Sequence, residues 1–437
     1  MDYSVKLGRR ALLASLAASG GALALGRTPY GGRLRIALPW PTAGLDPHAI
    51  DDASSALFGE LCADTLYAVD SGGRVYPALA DGMPEPTGKQ LSIRLRPNLV
   101  TARGRPLDAR DVLFSLNRAA ARGGSGPLSA LVPLQADPKD PLGIRAGALP
   151  PSRAAELLAF PVAAILPRGF SPRLPDGTGP FRVDLQRGGL SLQRNMSAAR
   201  GAAFLDSIHV RSAPDLSESL RAFEAGETEL AWLGQYLHKP RAGAIKLHGA
   251  PFGWVVLFTG DDAGSWGAPG VAQRLLDGIA STQLTHLGVE PLSAAGAAAS
   301  SWGGEPAEIL APDDAPQLVA IARQLASVLG RPGHELRAAA RPAPELGYRI
   351  RTGRFALRVG FVRRLSSSFE SALWSLTAAV DPQLARKPPA VSGNDLRRIT
   401  RGLRAGIVGQ LRVLGAYDGG LMHVAQWELG AVFRKRP

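Results

Sequence analysis

Over residues 91–119 the spacing of apolar side chains switches from strand to helix across one turn, and that switch points to a mixed α/β fold. Leu91, Ile93 and Leu95 alternate with Ser92, Arg94 and Arg96, the pattern of a strand with one buried face. Gly104, Arg105 and Pro106 supply the turn. Val112, Leu113 and Leu116 then recur at helical spacing, and Asp108 stands where an N-cap belongs, with Asp111 placed to complete a capping box.

The same two patterns recur along the chain. Strands are expected over 33–40, 66–70, 205–213, 230–233, 254–260 and 354–362, with a hairpin over 177–195 that turns at Gly188 and Gly189. Helices are expected over 52–67, from the Asp215 cap to Ala225, over 270–281, over 314–330 with Gly330 as its stop, and over the basic stretch 394–410. Residues 121–156, rich in Gly, Pro and Ala, read as long surface connections, 294–306 as a loop, and 420–433 as terminal strands that pair elsewhere.

A chain of 437 residues, 45% hydrophobic and 20% charged, can form two or three domains with a sizeable core. The net charge of +13 does not read as a nucleic-acid surface, because the basic residues are scattered singly and no aromatic residues interleave with them. The single cysteine, Cys62, excludes an internal disulfide framework and a multi-cysteine zinc site, and it reads as a small buried hydrophobe. Residues 1–24 carry Lys6, Arg9 and Arg10, a weakly apolar run and an Ala22-x-Ala24 pattern, the layout of a cleavable export signal. The arginine pair makes it twin-arginine-like, and an ordinary secretory signal is the alternative. No later segment is long and apolar enough to span a bilayer.

Catalytic signatures are weak. The segment ending at Lys89 has Met83 where a phosphate loop needs glycine and Gln90 where it needs Ser or Thr. Around Ser125, Pro127 occupies the second glycine position of a nucleophile elbow. No paired histidines or His-Glu pair sit at helical spacing. No catalytic residue, metal site or cofactor is expected.

The order of the pieces says more than any one of them. "LDPH", "GELCADTLYAVDSGGRVYPALAD", "LSIRLRPN", "GRPLDARDVLFSLNRA", "GTGPFRV", "LSLQRN" and "LRAFEAGETELAW" follow one another between residues 33 and 235. In sequence and spacing they resemble the peptide/nickel class, family 5, of extracytoplasmic solute-binding proteins of ABC importers, with divergence in the C-terminal half. The resemblance implies a bilobed periplasmic-binding-protein type II fold. The first lobe would span 33–250 with an inserted subdomain near 49–160, the second 251–395, and 396–437 would return to the first. It implies a monomer that captures a peptide-like or other small solute and delivers it to the importer's membrane subunits outside the cytoplasm, without nucleic acid. The alternative is a degenerate receptor serving as a periplasmic sensor or assembly partner.

Five residues are candidate ligand contacts: Trp40, His48, Arg363, Arg364 and Trp374. Trp40 can stack on a solute near the cleft mouth or fill the core, and His48 can cap its loop or touch a ligand. Peptide-binding relatives tend to follow the strand resembling 354–362 with an aromatic and acidic segment. Here Arg363 and Arg364 occupy that place, so the resemblance implies a preference for an anionic group, with a solvated strand end as the alternative.

Overall fold

In the first strand, β1 (Arg33–Leu38), Leu34 and Ile36 are buried while Arg33 and Arg35 stay outside, as the alternation requires. The computed structural model describes residues 31–70, 72–232, 244–280, 282–292, 300–388 and 395–418. The expected export signal and terminal strands lie outside these. Helix α1 (Ala53–Cys62) is capped by Asp52, whose carboxylate accepts from the Ser54 and Ser55 backbone N–H groups. It is shorter than the expected 52–67, because Ala63 is extended and Tyr67–Val69 pairs as a strand with Val75–Pro77. Cys62 is buried, and burial pushes its thiol pKa up.

Helix α2 (Ala109–Ala119) has the predicted capping box. Asp108 accepts from the Arg110 and Asp111 backbones, and the Asp111 carboxylate accepts from the Asp108 N–H at 2.9 Å. Asp111 also accepts from the Arg168 backbone at 2.8 Å, so both aspartates are committed to holding the helix start. The stretch 121–156 is more regular than its composition suggests. It contains short helices at Ser125–Ser129 and Pro151–Leu157 and two strands. Those strands, Gln135–Ala136 and Gly143–Ala146, join Glu85–Thr87 and Gln90–Arg94 in a four-stranded sheet. Leu91, Ile93, Val112, Leu116 and Ile144 pack between this sheet and α2, giving the subdomain a core of its own.

Strands β2 (Phe181–Gln186) and β3 (Gly189–Arg194) form the expected hairpin, turning at Gly188 with φ of +74°. A Cβ on Gly189 would lie 2.1 Å from the Val210 carbonyl, so only glycine lets β4 (Ser207–Ser212) pair there. Helix α3 (Leu216–Glu224), capped by Asp215, leads to β5 (Leu230–Trp232), which lies parallel to β1.

The chain continues through β6 (Ala244–Thr259), α4 (Val271–Asp277), β7 (Ala307–Pro312), α5 (Pro316–Leu329), β8 (Leu336–Arg341), β9 (Leu357–Arg363), α6 (Phe369–Val380), α7 (Leu396–Arg401) and β10 (Ala405–Asp418). The expected helix over 394–410 ends at Arg401 instead, and its second half is strand. A Cβ on Gly406 would fall 2.6 Å from the Ala272 carbonyl carbon, and one on Gly409 would fall 2.6 Å from the Glu290 oxygen. Those glycines let β10 pack closely against α4 and the Glu290 backbone, a constraint from distant chain that local spacing does not reveal.

The main sheet runs β8-β7-β9-β6-β10-β5-β1-β4-β3-β2. Strands β6 and β10 are antiparallel from Ala244 opposite Asp418 to Phe258 opposite Ala405. At one end β10 meets β5, with Leu230 opposite Tyr417. At the other end β6 meets β9, from Gly253 opposite Arg363 to Thr259 opposite Leu357. This pair therefore belongs to both lobes and carries the chain between them. In the second lobe, Leu257, Ile309, Ile321 and Leu325 pack on one face of the sheet. Trp254, Val256, Leu376 and Ile399 pack on the other.

Candidate functional site

The loop after β1, the α2 end and the Gly123–Leu128 region face β9 and α6 of the second lobe, and all five candidate ligand residues lie at or near this boundary. Trp40 is buried in the core. Its ring meets Phe252 edge-on at 5.7 Å, and Phe252 meets Phe361 at the same centroid separation. The aromatic run ties β1 to β6 and β9.

His48 is fully buried. Its Nδ1 faces Arg118 Nη1 at 2.9 Å and its Nε2 faces the Ala164 carbonyl at 2.7 Å, so a neutral ring accepts from the guanidinium and donates to the carbonyl. Burial is the main force lowering its pKa to about 4. The Ala164 bond and Asp46 oppose this, while Arg118 and Arg363 add to it. Asp46 is gripped by both Arg118 Nη atoms at 2.7 Å. Burial pushes the Asp46 pKa up, but the Arg118 bonds and charge more than reverse it and the carboxyl stays below its usual value.

The adjacent arginines point to different surroundings. Arg363 is only 2% exposed. Its backbone N–H donates to Ile50 O at 2.6 Å, and its Nη1 donates to Pro47 O at 2.8 Å. This side chain pegs β9 onto the loop of the first lobe and does not stand at an open strand end. Arg364 turns the other way. Its backbone donates to Phe252 O and its Nε to Ser366 O, each at 2.9 Å, and it lines a pocket of about 450 Å³ with Trp254, Ser367, Ser368 and Gln410.

Trp374, on α6, is buried against the inserted subdomain. Phe160 meets it edge-on at 5.9 Å, and the Arg153 guanidinium lies 5.7 Å from its ring centre. Gly126 makes the seat, since a Cβ there would lie 2.5 Å from Trp374 Cδ1. Glu370, one turn earlier, accepts from Arg153 Nη2 at 2.7 Å on each oxygen. Ile50, Val162, Leu365, Ala378 and Ala385 form an apolar cluster across the same boundary.

Four of the five candidates, Trp40, His48, Arg363 and Trp374, are therefore engaged with protein groups in this arrangement, and Arg364 lines a pocket. Sequence reasoning missed Arg118, which follows from helical spacing inside α2, and Gly126, which lies in the stretch weighed as a nucleophile elbow. Among the described residues, no group of three or more His, Cys, Asp or Glu side chains could hold a metal ion, and no helix is long and apolar enough to cross a membrane.

Comparison with known proteins follows from this architecture. The family profile described as bacterial extracellular solute-binding proteins, family 5 middle, matches residues 74–249. No curated protein sequence matches the chain. The oligopeptide-binding protein AppA from Bacillus subtilis, solved with a nonapeptide, is similar in fold with a TM-score of 0.67 at 12% identity, over 90% of this chain and 95% of AppA. The ABC transporter-associated periplasmic binding protein DppA from Helicobacter pylori, solved with the peptide STSA, gives 0.67 at 15% identity, over 89% and 94%. NikA from Staphylococcus aureus, solved with Ni(L-His)2, gives 0.63 at 16% identity, over 89% and 95%. The fold is thus the bilobed type II periplasmic-binding-protein fold, and residues 74–249 are similar to the middle region of the family 5 solute-binding proteins.

Proposed function

We propose that the chain is a solute receptor that captures a small peptide-like or other organic molecule between its two lobes and delivers it to the membrane subunits of an ABC importer. The observation that carries this reading is the β6–β10 pair, a two-stranded connection shared by both lobes on which they can close as jaws. The first lobe comprises 33–250 with its insertion at 49–160 and the return from 396, and the second comprises 251–395. The chain works as a monomer outside the cytoplasm after loss of residues 1–24, by binding and not by catalysis, and without nucleic acid.

One observation favours a second reading, a receptor that has lost uptake and serves as a sensor or assembly partner. The boundary is occupied by apolar side chains, with Trp374 seated on Gly126 and Ile50 against Leu365 and Ala378. A melting screen against mixtures of peptides, amino acids, sugars and organic acids separates the two. A solute at about a hundred times its Kd stabilises the folded state by about 2.7 kcal/mol, a rise of about 3 °C for a chain of this length. The receptor reading expects at least one such solute. A flat screen across all classes contradicts it and leaves the second reading.

A further inference from the structure

The pocket beside Arg364 has the chemistry of an anion site, and part of the Arg364 guanidinium is left without a protein partner. Arg364 is half-buried, with its Nε occupied by Ser366 O while neither Nη atom has a partner among the described residues. The nearby cation Arg412 is already paired with Glu290. Burial first, and then the charge of Arg412, disfavour the charged form of Arg364. Trp254 is 2% exposed, and its indole N–H is buried with no acceptor among the described residues. None of the residues lining the pocket is acidic.

The surrounding elements add to the same sign. Ser367 and Ser368 stand at the start of α6, a helix of 12 residues, so its positive end lies at the pocket wall. Trp254 and Gln410 come from the two strands that join the lobes and face each other directly in the ladder. Phe369 and Leu396 supply an apolar wall. The volume of about 450 Å³ suits a small organic molecule.

We infer that this pocket binds a small organic anion, whose carboxylate or phosphate oxygens accept from Arg364 Nη and the Gln410 amide, beside the Trp254 indole. The inference rests on the receptor reading and names the ligand class for that receptor. Because Trp254 and Gln410 sit on the shared strands, an anion held there bears directly on the connection between the lobes.

The test uses the full chain labelled with 15N at its seven tryptophan indoles, with Trp254→Phe assigning the Trp254 signal. Succinate and inorganic phosphate are titrated, with neutral succinamide as the control. The inference expects the Trp254 Nε1–H signal to move saturably with at least one anion and to stay still with succinamide. Which anion moves it tells carboxylate from phosphate. Arg364→Gln should raise the titration midpoint roughly tenfold or more, as expected for loss of a charge-assisted hydrogen bond. If that variant fails to fold, Gln410→Leu provides the second arm, with an expected midpoint about threefold higher. A Trp254 signal still in both anions, or moved equally by succinamide, overturns the anion site, as does an unchanged midpoint in the folded variants. A neutral solute that raises the melting temperature while leaving the Trp254 signal unmoved would also overturn it, and would leave the receptor reading standing.

Discussion

Arg118→Met is expected to cost the fold about 3–5 kcal/mol, read as a lowered urea midpoint at neutral pH. The guanidinium holds both Asp46 oxygens at 2.7 Å and donates to His48 Nδ1, and it lies over the Phe170 ring at 5.1 Å. The Asp46 side chain is 9% exposed and that of Arg118 14% exposed, so water cannot replace the lost partner cheaply. Arg122, at 3.5 Å from Asp46, is a mostly exposed substitute, which places the loss toward the lower end of that range. Asp46→Asn removes the charge and keeps the shape, and should cost less. Combining the two changes should cost clearly less than their sum, because neither leaves a stranded charge in the other's presence. A loss below about 1 kcal/mol for Arg118→Met would show that the pair is not buried as described. The inserted subdomain meets the β1 loop through this pair, so the same variant loosens the loop that Arg363 grips.

The boundary between the lobes should give a comparably large effect. Gly126 has no positive φ, so its glycine is required by packing: a Cβ would stand 2.5 Å from Trp374 Cδ1 and 2.9 Å from Ala385 O. Gly126→Leu should therefore lift α6 off the subdomain at a cost of about 1–3 kcal/mol, with a measurable rise in radius of gyration. Trp374→Ala empties the seat and should cost about 3–5 kcal/mol. Together the two should cost much less than their sum, since leucine then fills the space the indole leaves. Additive losses with unchanged scattering would mean that Trp374 does not hold the lobes together.

Much of the first lobe was legible because its determinants are local. The Asp108 cap, the alternation of 91–96 and the turn at Gly188 each specify backbone within a few residues. The stretch 121–156 was not, because Gly and Ala there are chosen for contacts made from elsewhere. Gly123 meets Ile50, Gly126 meets Trp374 and Gly147 meets the Val132 carbonyl. The second half of 394–410 was misread for the same reason, since Gly406 and Gly409 answer to α4 and Glu290. The two arginines illustrate the limit at the site. Strand alternation separates Arg363 from Arg364, but only the Pro47 carbonyl determines which of them faces the first lobe. Trp254 carried no sequence signal as a site residue, because a tryptophan among valines and leucines reads as core, and its lack of a hydrogen-bond partner is visible only in three dimensions.

The account stands on two lobes that close over a solute by flexing at β6 and β10, and a distance across them tests it most directly. The lone cysteine is buried with its thiol pKa pushed up, so spin labels can be placed by Lys89→Cys in the inserted subdomain and Arg351→Cys in the second lobe, both exposed. Pulsed dipolar spectroscopy then compares the protein alone with the protein saturated by the solute that raises its melting temperature. The account predicts more than one inter-label distance without solute and a single shifted population with it. One distance, identical in both states at saturation, would contradict it.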